Sequence, residues 1–166
     1  MISSLVITIG NTLRGGDAAA HRVLKSIPES AHIHKRSVTQ LTPEIAAEIA
    51  NYATVVFVDA DVRALDIEIA PVVDELAPSL LTHVLRPSEV VGLARILFGF
   101  HGKAYLCRIP LIDLSAGLRV SPEAQQLAQR AAEEIDSLIE STIKWVRESR
   151  SHHPVGNVRR RLGRNR

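Results

Sequence analysis

Two short runs of almost wholly apolar, β-prone residues, Leu5–Ile9 and Thr54–Val58, constrain this chain more than anything else in it. A strand with no polar alternation has to be buried on both faces, and sheets buried on both faces are parallel sheets covered by helices. Between and after these runs the apolar period changes to that of a helix. From Asp17 onward, Ala20, Val23, Leu24 and Ile27 recur at helical spacing until Pro28 stops the pattern. Thr42-Pro43-Glu44 reads as a helix start, with Thr42 as N-cap, Pro43 in the first turn, and Ile45, Ala46 and Ile49 as the buried face. Pro87 opens a helix that turns Val90, Val91, Leu93, Ala94 and Leu97 inward and ends at Gly99. Ser121-Pro122-Glu123 starts the longest helix, whose stripe runs through Leu127, Ala131, Ile135, Leu138, Ile139, Ile143 and Val146.

Three further segments complete the sheet. His32–Ser37 alternates weakly and suits a strand near an edge. Leu65–Ala70 alternates apolar with acidic residues, the mark of an edge strand with one solvated face. Lys103–Ile109 is the last strand. Strand and helix alternate throughout, which predicts an α/β fold: a three-layer α/β/α sandwich with a mostly parallel, mixed sheet of about five strands. With 166 residues, 46% of them apolar, the chain has the length and the core of one domain, expected over residues 1–150.

Charge and cysteine content narrow the function classes. The single cysteine, Cys107, excludes an intramolecular disulfide and a multi-cysteine zinc site, and its apolar strand neighbours make it a buried thiol rather than a nucleophile. The N-terminal residues lack a basic leader and no apolar run reaches the length of a membrane span, so a cytoplasmic protein with no membrane partner is expected. Net charge is only +2, but arginines crowd the end, at Arg150 and in Arg159–Arg166. Residues 151–166 are expected to be a flexible basic tail. It contains no aromatic residue for base stacking, and nucleic acid is not expected as a partner.

Three polar residues stand at the exits of successive elements: Asp17 after the turn Gly10-Asn-Thr-Leu-Arg-Gly-Gly, Asp59 at the end of the second apolar run, and His83 before the Pro87 helix. In an open parallel sheet, segments leaving the carboxyl ends of neighbouring strands gather along one rim. Two carboxylates and an imidazole there would suit a borderline divalent metal. Each has a plainer reading, Asp17 as a helix cap, Asp59 as a turn former and His83 as a loop histidine, and Asp61 is an alternative to Asp59. The turn lacks the Gly-Lys-Ser/Thr of a Walker A loop, although its amides could meet an anion at the helix N-terminus. His32 and His34 would share one face of an edge strand without a third ligand nearby. His152 and His153 fall in the tail, and Ser115 lacks a nucleophile-elbow glycine pattern.

Taken in order, these segments resemble the hydrogenase maturation endopeptidases. Ile7-Thr-Ile-Gly10-Asn11 followed by Arg14-Gly-Gly-Asp17 resembles the family's opening Gly-Asn with its downstream acidic position. Gln40-Leu-Thr-Pro-Glu44 and Val56-Phe-Val-Asp59-Ala60 resemble its middle. Thr82-His83, then Leu93-Ala-Arg95 and Phe98-Gly99, resemble its histidine and following helix, and Gly117-Leu-Arg-Val-Ser-Pro-Glu123 resembles the start of its C-terminal helix. The resemblance implies a peptide-bond hydrolase that trims the C-terminus of a nickel-iron hydrogenase large-subunit precursor after nickel insertion. It further implies Asp17, Asp59 and His83 as catalytic, metal-contacting residues, with the nickel supplied by the substrate subunit and no tightly bound cofactor of the chain's own. The chain departs from the pattern where Gly16-Asp17 replaces the usual acidic pair, and where Ser37-Val-Thr-Gln-Leu-Thr-Pro replaces the Asp-Gly-Gly-Thr of some members. The first departure motivates an alternative of another class, a noncatalytic pseudoprotease that binds a partner's C-terminal segment. An anion-binding protein built on the Gly15-Gly16-Asp17 turn is a third.

Overall fold

The computed structural model describes residues 3–10, 18–74, 85–111 and 121–151. Five strands, β1 (Ser4–Ile9), β2 (Ile33–Val38), β3 (Thr54–Asp61), β4 (Glu68–Pro71) and β5 (Lys103–Pro110), form one sheet in the order β2-β1-β3-β5-β4. β1 pairs in parallel with β2 and β3, and β3 in parallel with β5; β4 joins the edge antiparallel to β5. Four helices, α1 (Ala18–Ser26), α2 (Glu44–Ile49), α3 (Pro87–Phe98) and α4 (Pro122–Ser151), flank the sheet. The expected sandwich and its mixed, mostly parallel five-stranded sheet are what the chain forms.

The strand pleat sorts apolar residues into two cores. Val6, Val56, Val58, Cys107 and Ile109 meet α1 and α4 through Val23, Leu24, Ala131, Ile135 and Ile139. Leu5, Ile7, Val55 and Phe57 meet α2 and α3 through Ile45, Ile49, Val90, Val91 and Ala94. Successive β3 residues thus serve opposite layers, which explains why Val55–Val58 carry no polar residue before Asp59.

Local differences from the sequence reading have identifiable causes. α2 takes Pro43 as its N-cap, with no side-chain cap bond, so Thr42 stands one place too early. Thr42 instead uses its hydroxyl on Glu44, whose carboxyl it holds below the ordinary value, while its carbonyl accepts the Ile45 N–H at 3.1 Å. β4 starts at Glu68 rather than Leu65, because the Asp66 carboxylate accepts the Ile67 N–H at 2.8 Å and lies 3.2 Å from Arg130. That local ring turns the chain, and Leu65 is left 98% exposed. Leu97 does not face the core but is 63% exposed. Gly99, at φ 65°, takes the left-handed C-cap conformation and folds Phe100 back beneath α3, where it is fully buried in the place expected for Leu97. The segment expected as a tail lies outside the described residues from 152 on; Ser151 still belongs to α4.

The turn between Phe100 and β5 needs glycine at 102. A Cβ there would stand 2.4 Å from the Phe100 ring, 2.7 Å from the Tyr52 carbonyl oxygen and 2.8 Å from that of Ala53. Two of these neighbours are backbone, so relief requires moving the chain. Gly102→Ala is expected to lower stability by about 1–3 kcal/mol, as overpacking does, measured as a shift in the urea midpoint at unchanged m-value.

Candidate functional site at the carboxyl rim

The parallel register sets one row of residues across the carboxyl rim. Ile9 pairs with Asp59, Asp59 with Arg108, and Arg108 with Glu68 of the antiparallel edge strand. Phe57 and Leu106 pack on the α2–α3 side, so the residues two further along, Asp59 and Arg108, fall on that side too. Asp59 is exposed at the point where the cores end. Asp61, two residues on, is committed to structure. Its Oδ1 accepts the Arg63 N–H at 2.8 Å, and its Oδ2 lies 3.9 Å from the Arg108 Nε.

Asp59 lines a cavity of about 390 Å³. Leu106 and Arg108 form its floor, the extended segment Ala70–Val73 one wall, and Arg86, Pro87 and Ser88 at the start of α3 the other. The α3 wall is fixed by an unusual anchor. Glu89, only 2% exposed, accepts the Arg86 N–H at 2.7 Å and lies 3.5 Å from the Arg86 Nε. A buried carboxylate is tolerated only with such partners, and here it also satisfies a donor at a helix N-terminus, where negative charge is favoured. Just upstream, the Leu85 N–H donates to the Leu41 carbonyl at 3.3 Å.

Of the three residues singled out from the sequence, Asp59 is the one among the described residues, and it lines this cavity. Asp17 and His83 lie outside the described residues, but the chain on either side of the gaps is placed. β1 runs into the same rim, with Gly10 following Ile9 at φ 143°, a conformation favouring glycine, and its N–H bonded to the Val38 carbonyl at 2.9 Å. Arg86, three residues after His83, lines the cavity itself. Among the described residues, no group of three or more His, Cys, Asp or Glu side chains could hold a metal ion. Arg86, Arg108 and Glu89 were not singled out from the sequence. The sequence carries only weak signals for them, a charged residue two places beyond Leu106 near a strand's carboxyl end and an acid three residues after Arg86 at a Pro-started helix, and neither marks a site without the strand register.

The other sequence candidates are accounted for. His32 and His34 do not form a pair on one strand face: His32 precedes β2 and lines a cleft with Glu140 and Lys144 of α4, whereas His34 meets the Tyr52 ring edge-on at 5.3 Å. Ser115, His152 and His153 lie outside the described residues. Among the described residues, no helix is long and apolar enough to cross a membrane.

No protein-family model matches the chain and no curated protein matches it significantly by sequence. Solved structures do match. The [NiFe] hydrogenase maturation protease HycI from Thermococcus kodakarensis KOD1 aligns with a TM-score of 0.63 at 22% identity, over 83% of this chain and 92% of that one. The hydrogenase maturating endopeptidase HybD from E. coli aligns with a TM-score of 0.57 at 21% identity, over 84% and 94%. The hydrogenase 2 maturation peptidase from Thaumarchaeota archaeon SCGC_AB-539-E09 aligns with a TM-score of 0.57 at 16% identity, over 83% and 98%. The architecture is therefore an α/β/α sandwich. More narrowly, it is the α/β fold of the hydrogenase maturation proteases.

Cys107 behaves as its sequence context predicts. It sits in the middle of β5, fully buried, and loss of water pushes its thiol up to about 12, with the Glu134 charge adding to the effect. The folded state therefore keeps a proton that the unfolded state loses near the ordinary thiol value of 9.0. Below that value the thiol's contribution to stability does not vary with pH; above it, folded chains hold this proton more than unfolded ones do, and that contribution falls as pH rises. Cys107→Ala is expected to flatten the decline measured by urea unfolding above about pH 9. The native wild-type thiol should resist iodoacetamide until denaturant is added.

Proposed function

We propose that this chain is a cytoplasmic endopeptidase that removes a C-terminal peptide from the nickel-loaded large-subunit precursor of a nickel-iron hydrogenase. The observation that carries the reading is the position of Asp59: an exposed carboxylate at the carboxyl rim of this fold, lining a cavity walled by an extended segment and a helix start. In sequence, Asp17 falls between β1, which ends at this rim, and α1, and His83 falls three residues before Arg86 of the cavity wall. In this reading the three side chains meet nickel carried in by the substrate, which the protein recognises rather than owns. Oxygen and nitrogen donors of this kind suit a divalent nickel ion without requiring permanent occupancy.

Such a metal at the scissile bond would polarise the carbonyl and lower the pKa of an attacking water. The chain's own part is to orient the peptide against the rim, and to hold Asp59 where it faces both solvent and cavity. The departure at Gly16-Asp17, with one carboxylate where an acidic pair is usual, favours a second reading, a pseudoprotease that binds the same segment without cutting it.

Intact mass of the precursor, incubated with the full chain, separates the two. Processing is expected to remove a short C-terminal peptide only from the nickel-loaded precursor, and to stop when the precursor's nickel is chelated. Asp17→Ala, Asp59→Ala and His83→Ala should each slow it by at least about 100-fold, since the ion is asked for several kcal/mol and each 1.36 kcal/mol is tenfold. A stable complex with unchanged mass would establish the pseudoprotease, and variants that process at the wild-type rate would remove the triad from the reading.

A further inference from the structure

Arg108 stands beside Asp59 in the sheet and on the floor of the same cavity, yet no hydrogen bond to another described residue consumes its donors. Its Nε lies 3.9 Å from Asp61 and its Nη1 3.8 Å from Glu68, both beyond hydrogen-bond length. Among the described residues it donates no hydrogen bond to the protein. A guanidinium carries five N–H donors in a fixed plane. It is 44% exposed, between two carboxylates that are 32% and 61% exposed, so these pairs add little to stability. What they do, together with Asp59 beside it, is offset the cation, which disfavours a further anion relative to neutral acceptors.

We propose that Arg108 anchors the substrate by donating hydrogen bonds to main-chain carbonyl oxygens of the peptide segment lying in the Asp59 cavity. This rests on the endopeptidase reading. The cavity's remaining walls agree with that occupant. Val72, Val73 and Leu106 offer apolar surface to a side chain, and Val73 is 77% exposed although it borders the cavity. Val72 is already tied to the sheet, its N–H donating to the Ala104 carbonyl at 2.8 Å, so the wall is a fixed extended segment along which a second extended segment can lie. Main-chain recognition makes the anchor indifferent to side-chain charge in the substrate.

The experiment is steady-state processing of a nickel-loaded large-subunit precursor by the full chain, comparing Arg108→Ala, Arg108→Lys and Glu68→Gln. Arg108→Ala is expected to raise KM roughly 10- to 100-fold, the worth of a hydrogen bond from a charged donor, with kcat changed far less. Arg108→Lys, which keeps a donor but loses the planar fork, should fall between. Glu68→Gln removes one ion-pair partner but leaves the donors, and should keep the wild-type KM. The same Arg108→Ala penalty is expected on a precursor whose acidic side chains in the removed segment are changed to amides. Wild-type KM in Arg108→Ala would overturn the proposal while leaving the endopeptidase reading intact. An equal loss in Glu68→Gln would reassign Arg108 to tying β4 and β5 together, and a penalty that disappears on the amide precursor would overturn main-chain recognition. Absence of processing by the wild type would overturn both readings.

Discussion

The parallel register between β1, β3 and β5 is the constraint on which the rest depends. It is specified by burial on both faces: Val56 and Val58 have no place except against α1 and α4, and Val55 and Phe57 none except against α2 and α3. Once those four residues are placed, the next position along β3 has to emerge on the α2–α3 side, and that position is Asp59. Ile9 and Arg108 are carried to the same level by the same ladder. The polar rim is therefore a geometric result of apolar packing several residues away from it.

The two layers contribute unequally. α4 spans thirty residues and, with α1, covers its side of the sheet, whereas α2 has six residues and α3 twelve. On the side of the shorter layer, the cavity lies between the start of α3 and the β4 edge. Its helical wall is held by electrostatics as much as by packing. Glu89 is buried, and it combines a cap on the Arg86 N–H with charge contact to the Arg86 side chain. The start of α3 is thereby fixed against the sheet, which gives the chain arriving from residue 84 a defined end point.

The framework was largely legible in the sequence because its signals were local and redundant. The runs at Leu5–Ile9 and Thr54–Val58 could be little other than doubly buried strands, and the stripe of α4 agrees at every turn from Leu127 to Ile143. What was misread was decided by single tertiary contacts. Leu97 continues the helical period of α3, but the Gly99 reversal gives its place to Phe100, and periodicity cannot register a residue that returns from beyond the helix. Asp66 fits an alternating strand equally well, until its carboxylate closes on the Ile67 amide. At the site, Asp59 was legible because it ends an apolar run. Arg108 was not, because only the β5–β3 register shows which residue of a mixed strand stands beside it. Glu89 was hidden for the opposite reason, since its sequence context reads as an ordinary exposed first-turn acid.

The alternation of β3 between two cores also governs how chain length can vary around it. Deleting or inserting one residue anywhere from Thr54 to Val58 would exchange the two layers' side chains and turn the carboxylate at 59 toward the α1–α4 side, away from the cavity. Only paired insertions keep both cores and the rim in phase, and even these shift the rim by a full pleat. Length changes are thus confined to the connections between elements, while the strands act as a ruler with a step of two residues. A fold of this kind can lengthen or reshape the loops that meet a new partner and still deliver the same acidic residue to the same face.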